Sequence, residues 1–431
     1  MPRHAFGCTL RRARWANRDL VTQRDPGGQG GVGSPSGRTG PPRKLLLLLI
    51  AMTGIGPLSL NILVPAVPGL VQALSTDTAS VQLTISLYLL GLAGAQLVLG
   101  PLSDRFGRRP VVLGGLALTA LASAAAIITS SIGGLIVSRV IQSMGASVGM
   151  VVGRAIIRDL VDREHTAATI GLVTSAMVVA PMVAPLIGGL LDTAFGWESI
   201  FLFVAASSAL VLIWATLGLP ETRKPQIGAP RRNFPSDLRV LCSSKEFVGY
   251  VLASTFASGA FFVFLGGAPH VTVTMMGRSS AEYGAWFVLN SIGYMSGTFL
   301  AARLSVRFGL DKMIRYGLLL QLVMAGVAAI LAAYFFRLGP AIIFIPQLLI
   351  SLGNGMVIPN AVAGAISVRP EMSGTASGIT GFVHMAFGAG VAQLAALLVA
   401  DATTGLPLPL TMMVISIAGL AAFWWLMPKR K

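Results

Sequence analysis

Residues 100–110 read G-P-L-S-D-R-F-G-R-R-P, a short charged stretch between two long apolar runs. It gathers Asp104, Arg105, Arg108 and Arg109, with Gly100 and Gly107 beside them. Glycine frees the backbone for a tight turn. Opposite charges so closely spaced pair with one another, and Asp159, at the end of the fourth apolar run, is a further acid within their reach. Such a cluster makes and breaks no covalent bonds. Its chemistry is that of a latch between helices, or else of solvated charges that only orient the chain in a membrane.

Other polar groups interrupt apolar runs. Arg139 lies near the outer end of the fourth run, where a guanidinium in hydrocarbon costs about 2.5–3.5 kcal/mol or more. It must face a cavity or a partner, or snorkel to the nearby interface. Asn61, Gln96, Asn290, Asn354, Asn360 and His384 each need a partner or water. Of these only His384 titrates near neutral pH, so it is a candidate proton carrier or a neutral hydrogen-bonded ring. Phe261 and Phe264 share one helix face and are candidates to line an apolar pocket, though core and lipid contact are the commoner fates of such rings. Pro181, Pro185, Gly188 and Gly189 can bend or flex the fifth run. Gly145, Gly149 and Gly153 recur every four residues, a spacing that lets a neighbouring helix approach closely.

Motifs of covalent chemistry do not appear. There is no H-E-x-x-H and no G-x-x-x-x-G-K-[ST], and the G-x-G-x-x-G match at Gly28, Gly30 and Gly33 follows no strand. Neither an enzymatic role nor a cofactor or metal is expected. Cys8 and Cys242 fall in polar segments and imply no disulfide framework.

The elements that must position these residues follow from composition. The 431 residues are 54% hydrophobic and 11% charged, with mean hydropathy +0.76, against roughly 25% charged in an ordinary soluble domain. Continuous apolar runs of about 20 residues fit membrane-spanning helices rather than barrel strands. Twelve runs are predicted: 45–66, 81–99, 110–130, 135–157, 167–191, 199–219, 247–268, 283–304, 313–333, 340–362, 373–399 and 407–427. With that count, 29 of the 32 Lys and Arg fall on one side and three, Arg139, Arg278 and Arg337, on the other. The asymmetry places both termini in the cytoplasm. It also accounts for the net charge of +16 without nucleic acid. Residues 1–43 are rich in Arg, Gly and Pro and read as a disordered basic tail. A cleavable signal is not expected, because the first apolar run is long and has no clear small-residue cleavage site.

An internal repeat divides the chain. L-S-D-R-F-G at 102–107 returns as L-S-V-R-F-G at 304–309, each copy ending the second run of its half. The expected architecture is all-α: twelve transmembrane helices in two pseudo-symmetric six-helix halves, 44–219 and 247–428. A cytoplasmic linker, 220–246, joins them, and 429–431 form a cytoplasmic C-terminus. Parallel repeats of this kind mark a large class of secondary transporters with the substrate site between the halves. In the second copy Val306 stands where the first has Asp104, so the latch is one-sided.

The loop G-P-L-S-D-R-F-G-R-R-P resembles the signature of the major facilitator superfamily, and more closely its Bcr/CflA drug-exporting branch. V-Q-L-T-I-S-L-Y-L-L-G (81–91), R-V-I-Q-S-M-G-A (139–146), R-A-I-I-R-D (154–159), A-P-M-V-A-P-L-I-G-G (180–189), G-W-E-S-I-F (196–201) and P-E-T (220–222) carry the same resemblance. It implies proton-coupled export of drugs or metabolites by alternating access. It also implies a latch of Asp104, Arg108 and Asp159 that holds the cytoplasmic side shut, a coupling or substrate role for Arg139, and a hinge at the proline–glycine motif of the fifth helix. One departure bears on coupling. The branch carries an acid in its first helix, in a run like D-x-Y-x-P, where this chain has Asn61-Ile62-Leu63-Val64-Pro65. The reading is therefore a monomeric multi-pass exporter of small organic compounds in the bacterial inner membrane, with protons as the coupling ion. The alternative is an importer or uncoupled facilitator of a neutral or anionic metabolite on the same fold.

Overall fold

The structure is a computed structural model that describes residues 42–161, 169–170, 172–173, 179–222 and 234–427. The basic tail up to residue 41, the first part of the fifth run, residues 223–233 of the linker and the C-terminal 429–431 lie outside the described residues.

The described chain is helical: α1 (Arg43–Ala73), α2 (Thr78–Phe106), α3 (Arg108–Ile127), α4 (Ile132–Leu160), α5 (Val179–Phe195), α6 (Glu198–Gly218), α7 (Phe234–Cys242), α8 (Lys245–Met275), α9 (Ser280–Phe308), α10 (Leu310–Tyr334), α11 (Ala341–Val368), α12 (Pro370–Ala400) and α13 (Pro407–Leu426). Ten of these are long and apolar enough to cross a membrane. α5, the shorter apolar helix, and α9 occupy the places of the fifth and eighth expected runs.

Local sequence sets the boundaries. Asp77, Ser131, Ser244 and Ser279 each accept a backbone N–H from the first turn of the following helix, the usual way to satisfy those orphan donors. α1 runs past its expected end at 66 because Pro65 and Pro68 fall at the starts of new helical turns rather than stopping the chain. α8 likewise passes Pro269 through a wide turn at His270–Met275. The expected loop 220–246 is partly helical, since α7 lies within it and buries Leu241 against the base of α8 and α12.

Helices α1–α6 pack on one another, as do α8–α13; the main crossings between these sets pair α2 with α12 and α5 with α9, and the end of α1 also meets α8 and α9. Both repeat loops turn at a glycine with positive φ, Gly107 at +98° and Gly309 at +84°. The internal repeat is thus a repeat of backbone geometry.

Candidate functional site

The first repeat loop folds into a compact charge cluster at the arginine-rich end of the molecule. The Arg108 guanidinium contacts Asp104 Oδ1 at 2.6 Å and Asp159 Oδ2 at 3.1 Å, and donates to Ser103 Oγ at 2.6 Å. Thr222 Oγ1 donates to the same Asp159 oxygen at 3.3 Å. Glu221 accepts the backbone N–H groups of Arg108 and Arg109 at 3.0 and 3.1 Å. A carboxylate there satisfies two orphan donors and sits at the positive end of the α3 dipole. Arg109 also donates to the Thr216 carbonyl at 2.8 Å. Arg105 points outward over the Phe106 ring, and a side chain on Gly100 would meet open space. These partners belong to α2, α3, α4, the end of α6 or the stretch just beyond it. In the second copy Val306 is exposed, and Asp311 accepts from Tyr250 at 2.7 Å.

Arg139 does not snorkel. It is 1% exposed, deep between α1, α2 and α4. Its guanidinium lies 4.1 Å from the centre of the Tyr88 ring. It donates to the carbonyls of Ser59 (2.9 Å) and Thr84 (3.3 Å) and to Gln142 Oε1. Gln142 passes the chain on to Ser123, and Tyr88 donates to the Gly56 carbonyl at 3.0 Å. No carboxylate pairs with Arg139 among the described residues, and its Nη2 is buried without a partner. Asn61 stands two residues beyond Ser59. Its amide donates to the Pro57 carbonyl at 2.8 Å, and its Oδ1 is unpartnered.

The second bundle uses amides where the first uses charge. Asn290 Oδ1 accepts from Gln347 (2.9 Å) and Ser351, and Asn354 Oδ1 accepts from Gln321 at 2.8 Å. Asn360 accepts from Ser305 at 2.7 Å. α11 is thereby tied to α9 on one side and α10 on the other. Phe264 is fully buried among Tyr283, Phe287 and Phe344, so it has no surface to offer a pocket, whereas Phe261 is only partly buried at the rim of the same rings. His384 on α12 faces the Ser254 backbone of α8, and its Nε2 is buried without a partner.

The pairs α5–α9 and α2–α12 form the seam between the bundles. Gly189 packs on the Ser280 carbonyl and Gly284 on that of Pro185 across the seam, while Gly188 packs on the Ile62 carbonyl of α1 within the first bundle. In each place a methyl group would overlap backbone. Thr193 Oγ1 accepts the Ala281 N–H at 3.2 Å, and Gln393 bridges Ser86 Oγ and the Ala79 carbonyl at 3.1 and 2.9 Å. These ties lie away from the arginine-rich end. Towards that end, Gly100 of α2 and Gly374 and Gly378 of α12 have no neighbour that a methyl group would touch. Pro181 and Pro185 sit on α5 just inside the seam, and Gln96 of α2 still approaches Gly381 of α12 on the way to the arginine-rich end.

Several of these groups escaped the sequence. Glu221 and Thr222 were visible only as part of P-E-T, with nothing to say which charges they would meet. Ser59, Thr84 and Gln142 meet Arg139 from three helices. Arg154 and Arg158 were counted only as orientation charges.

Two packed helical bundles, meeting along a seam and holding buried charge and amides inside, define a polytopic membrane protein. The model of the Major Facilitator Superfamily matches residues 49–393. The chain is 31% identical over 374 residues to multidrug resistance protein D of Escherichia coli K12, covering 86% of this chain and 93% of that one. It is 28% identical over 389 residues to a bicyclomycin resistance protein homolog of Haemophilus influenzae (88% and 95%), and 30% identical over 341 residues to a chloramphenicol resistance protein of Pseudomonas aeruginosa (78% and 79%). The chain belongs to the Major Facilitator Superfamily. Two solved structures share the fold at 15% identity, each covering 89% of this chain and 96% of the other. One is an inward-facing, occupied bacterial homolog of the human lysosomal transporter Spinster, with TM-score 0.70; the other is a D-xylose–proton symporter, with TM-score 0.72. The chain is thus a membrane transporter, multi-pass in the bacterial inner membrane.

Proposed function

We propose that the chain exports drugs or small organic metabolites by alternating access. Its twelve helices form two halves, and the arginine-rich end lies in the cytoplasm. The observation that carries this reading is the placement of the seam's hydrogen bonds among the described residues: all lie away from the arginine-rich end, which suits a state that loads from the cytoplasm. The drug-resistance names of the relatives support the substrate class. The cluster of Asp104, Arg108 and Asp159 serves as the latch, with Gly100, Arg105, Gly107 and Arg109 shaping its loop. Here it is satisfied within its own bundle, ready to engage the other when the cytoplasmic side shuts. Pro181, Pro185, Gly188 and Gly189 let α5 move against α9.

Protons are the coupling ion in this reading, and His384 is the embedded group that can carry one. Asn61 supplies no proton, and that favours one competing reading, an uncoupled facilitator of a neutral or anionic metabolite. Accumulation of a neutral phenicol in inverted vesicles, compared with intact cells and followed beside a pH-sensitive dye, separates the two. Uphill accumulation in inverted vesicles with proton release from the lumen supports coupled export. Downhill equilibration indifferent to pH supports the facilitator.

A further inference from the structure

α4 carries two more guanidinium groups, at Arg154 and Arg158. Both are exposed, whereas their neighbours Ala155, Ile156 and Ile157 are buried. Among the described residues neither has a hydrogen-bond or ion-pair partner. The adjacent acid, Asp159, is already engaged by Arg108 and Thr222. Two like charges four residues apart on one helix repel each other, so the pair is held together at a cost that no ion pair among the described residues offsets.

The direction they face follows from what surrounds α4. Gly149 packs on the Met52 carbonyl and accepts from Thr53 at 3.2 Å, which fixes one side against α1. Val148 packs on Gly115, which fixes another against α3. The stripe left open is Val151, Arg154 and Arg158. Arg154 lies six residues before the end of α4 at Leu160, about 9 Å inside at the helical rise. Guanidinium groups at that depth are costly against hydrocarbon and face the bundle interior or a water-filled cavity. By that rule the stripe, uncovered among the described residues, faces the space between the bundles at the arginine-rich end.

We infer that Arg154 and Arg158 form an anion-binding pair at the mouth of the transport path. It takes the carboxylate, phosphate or sulfonate group of an organic anion as that compound enters from the arginine-rich side. Two guanidinium forks match such oxyanions with charge-assisted, bidentate hydrogen bonds. This assignment rests on the proposed transport role and narrows its substrates to anions, with neutral compounds as weaker ligands. The same chemistry is offered by anionic lipid headgroups, which settle in basic pockets between membrane helices.

The test measures binding of three matched ligands, 2-naphthoate, 2-naphthamide and 2-naphthylmethylammonium, to the full chain in nanodiscs of zwitterionic lipid. Binding of naphthoate at least tenfold tighter than the amide, with the ammonium weakest, is expected. Arg154→Gln and Arg158→Gln should each weaken naphthoate about tenfold, roughly the loss of one charge-assisted contact, and leave the amide unchanged. Arg158→Lys should fall between. Equal loss of amide and naphthoate, or no preference in the wild type, overturns the proposal. A repeat in discs with one-fifth phosphatidylglycerol separates the two sources. Unchanged naphthoate affinity supports a ligand site. Abolished affinity, with phosphatidylglycerol retained by the wild type and not by Arg154→Gln, makes it a lipid site and overturns the proposal. Selective naphthoate binding in a chain that moves no phenicol would sink the exporter reading and leave the anion pair standing.

Discussion

The Glu221 carboxylate lies directly over Gly107. A methyl group on Gly107 would stand 2.7 Å from Oε2, and the backbone there turns at φ +98°. The first two amides of α3 are satisfied by a side chain from beyond the end of α6, more than a hundred residues later. The loop between α2 and α3 is therefore held by α6 as well as by its own charges.

Gly107→Ala should lower stability by about 2 kcal/mol. Left-handed backbone costs a non-glycine residue about 1–2 kcal/mol, and displacement of the Glu221 cap adds about 1 kcal/mol. Glu221→Gln keeps one acceptor and should lose about half as much. Thermal unfolding in detergent reads both. A Gly107→Ala chain as stable as the wild type would mean that the carboxylate does not hold the turn.

Asp104→Asn and Asp159→Asn should slow transport while equilibrium binding stays within about threefold, because alternating access is a shift between states and the latch touches no ligand. Asp159→Asn should be the more harmful, since Asp159 is met by both Arg108 and Thr222. Parallel measurements of vesicle uptake and ligand affinity decide it. A large affinity loss with normal switching would remove the latch from the mechanism.

Arg139→Ala removes the side-chain donor from the Ser59 and Thr84 carbonyls and strands Gln142 Oε1, a buried acceptor whose desolvation costs about 1–3 kcal/mol when unpaired. Loss of transport with reduced thermal stability is expected, and Arg139→Lys should restore little, because a point charge does not span three acceptors. Near-normal transport by the alanine variant would show that the network only packs helices.

Gly284→Ala puts a methyl group against the Pro185 carbonyl, and Gly189→Ala does the same to Ser280. Overpacking of this kind costs about 1–3 kcal/mol. It falls only on the state in which α5 and α9 touch, so the seam-closed population should drop about tenfold. Distances between spin labels on the α5–α6 and α8–α9 turns would lengthen. Unchanged distances would mean that the seam yields locally instead.

How much of this was legible in the sequence depended on range. The apolar runs, the repeat and the loop charges are local patterns, and the fold followed from them. Asp104, Arg108 and Asp159 could be grouped because two lie in one loop and the third ends a nearby helix. Gln321 with Asn354, and Ser59 with Arg139, could not be paired in advance. A buried amide finds its partner by helix rotation and crossing angle, which composition does not encode. Helix ends were misjudged where Pro65 and Pro269 sit, since proline at the first turn of a new helical segment continues the rod that proline elsewhere would stop. Phe261 and Phe264 share a face, yet the neighbouring Phe287 and Phe344 seal one and leave the other at the rim.

The matched turns at Gly107 and Gly309 give both bundles the same joint, but the joints are fastened differently. The first is bound by ion pairs, one of whose acids, Asp104, is well exposed to water. The second is bound by Tyr250 and by neutral amide contacts along α11. Dissolved salt screens the former within about 10 Å at 0.1 M and acts less on the amide contacts of the latter. The two arms of the transporter thus differ in their sensitivity to ionic strength, and the electrolyte at the arginine-rich face loosens the first arm more than the second.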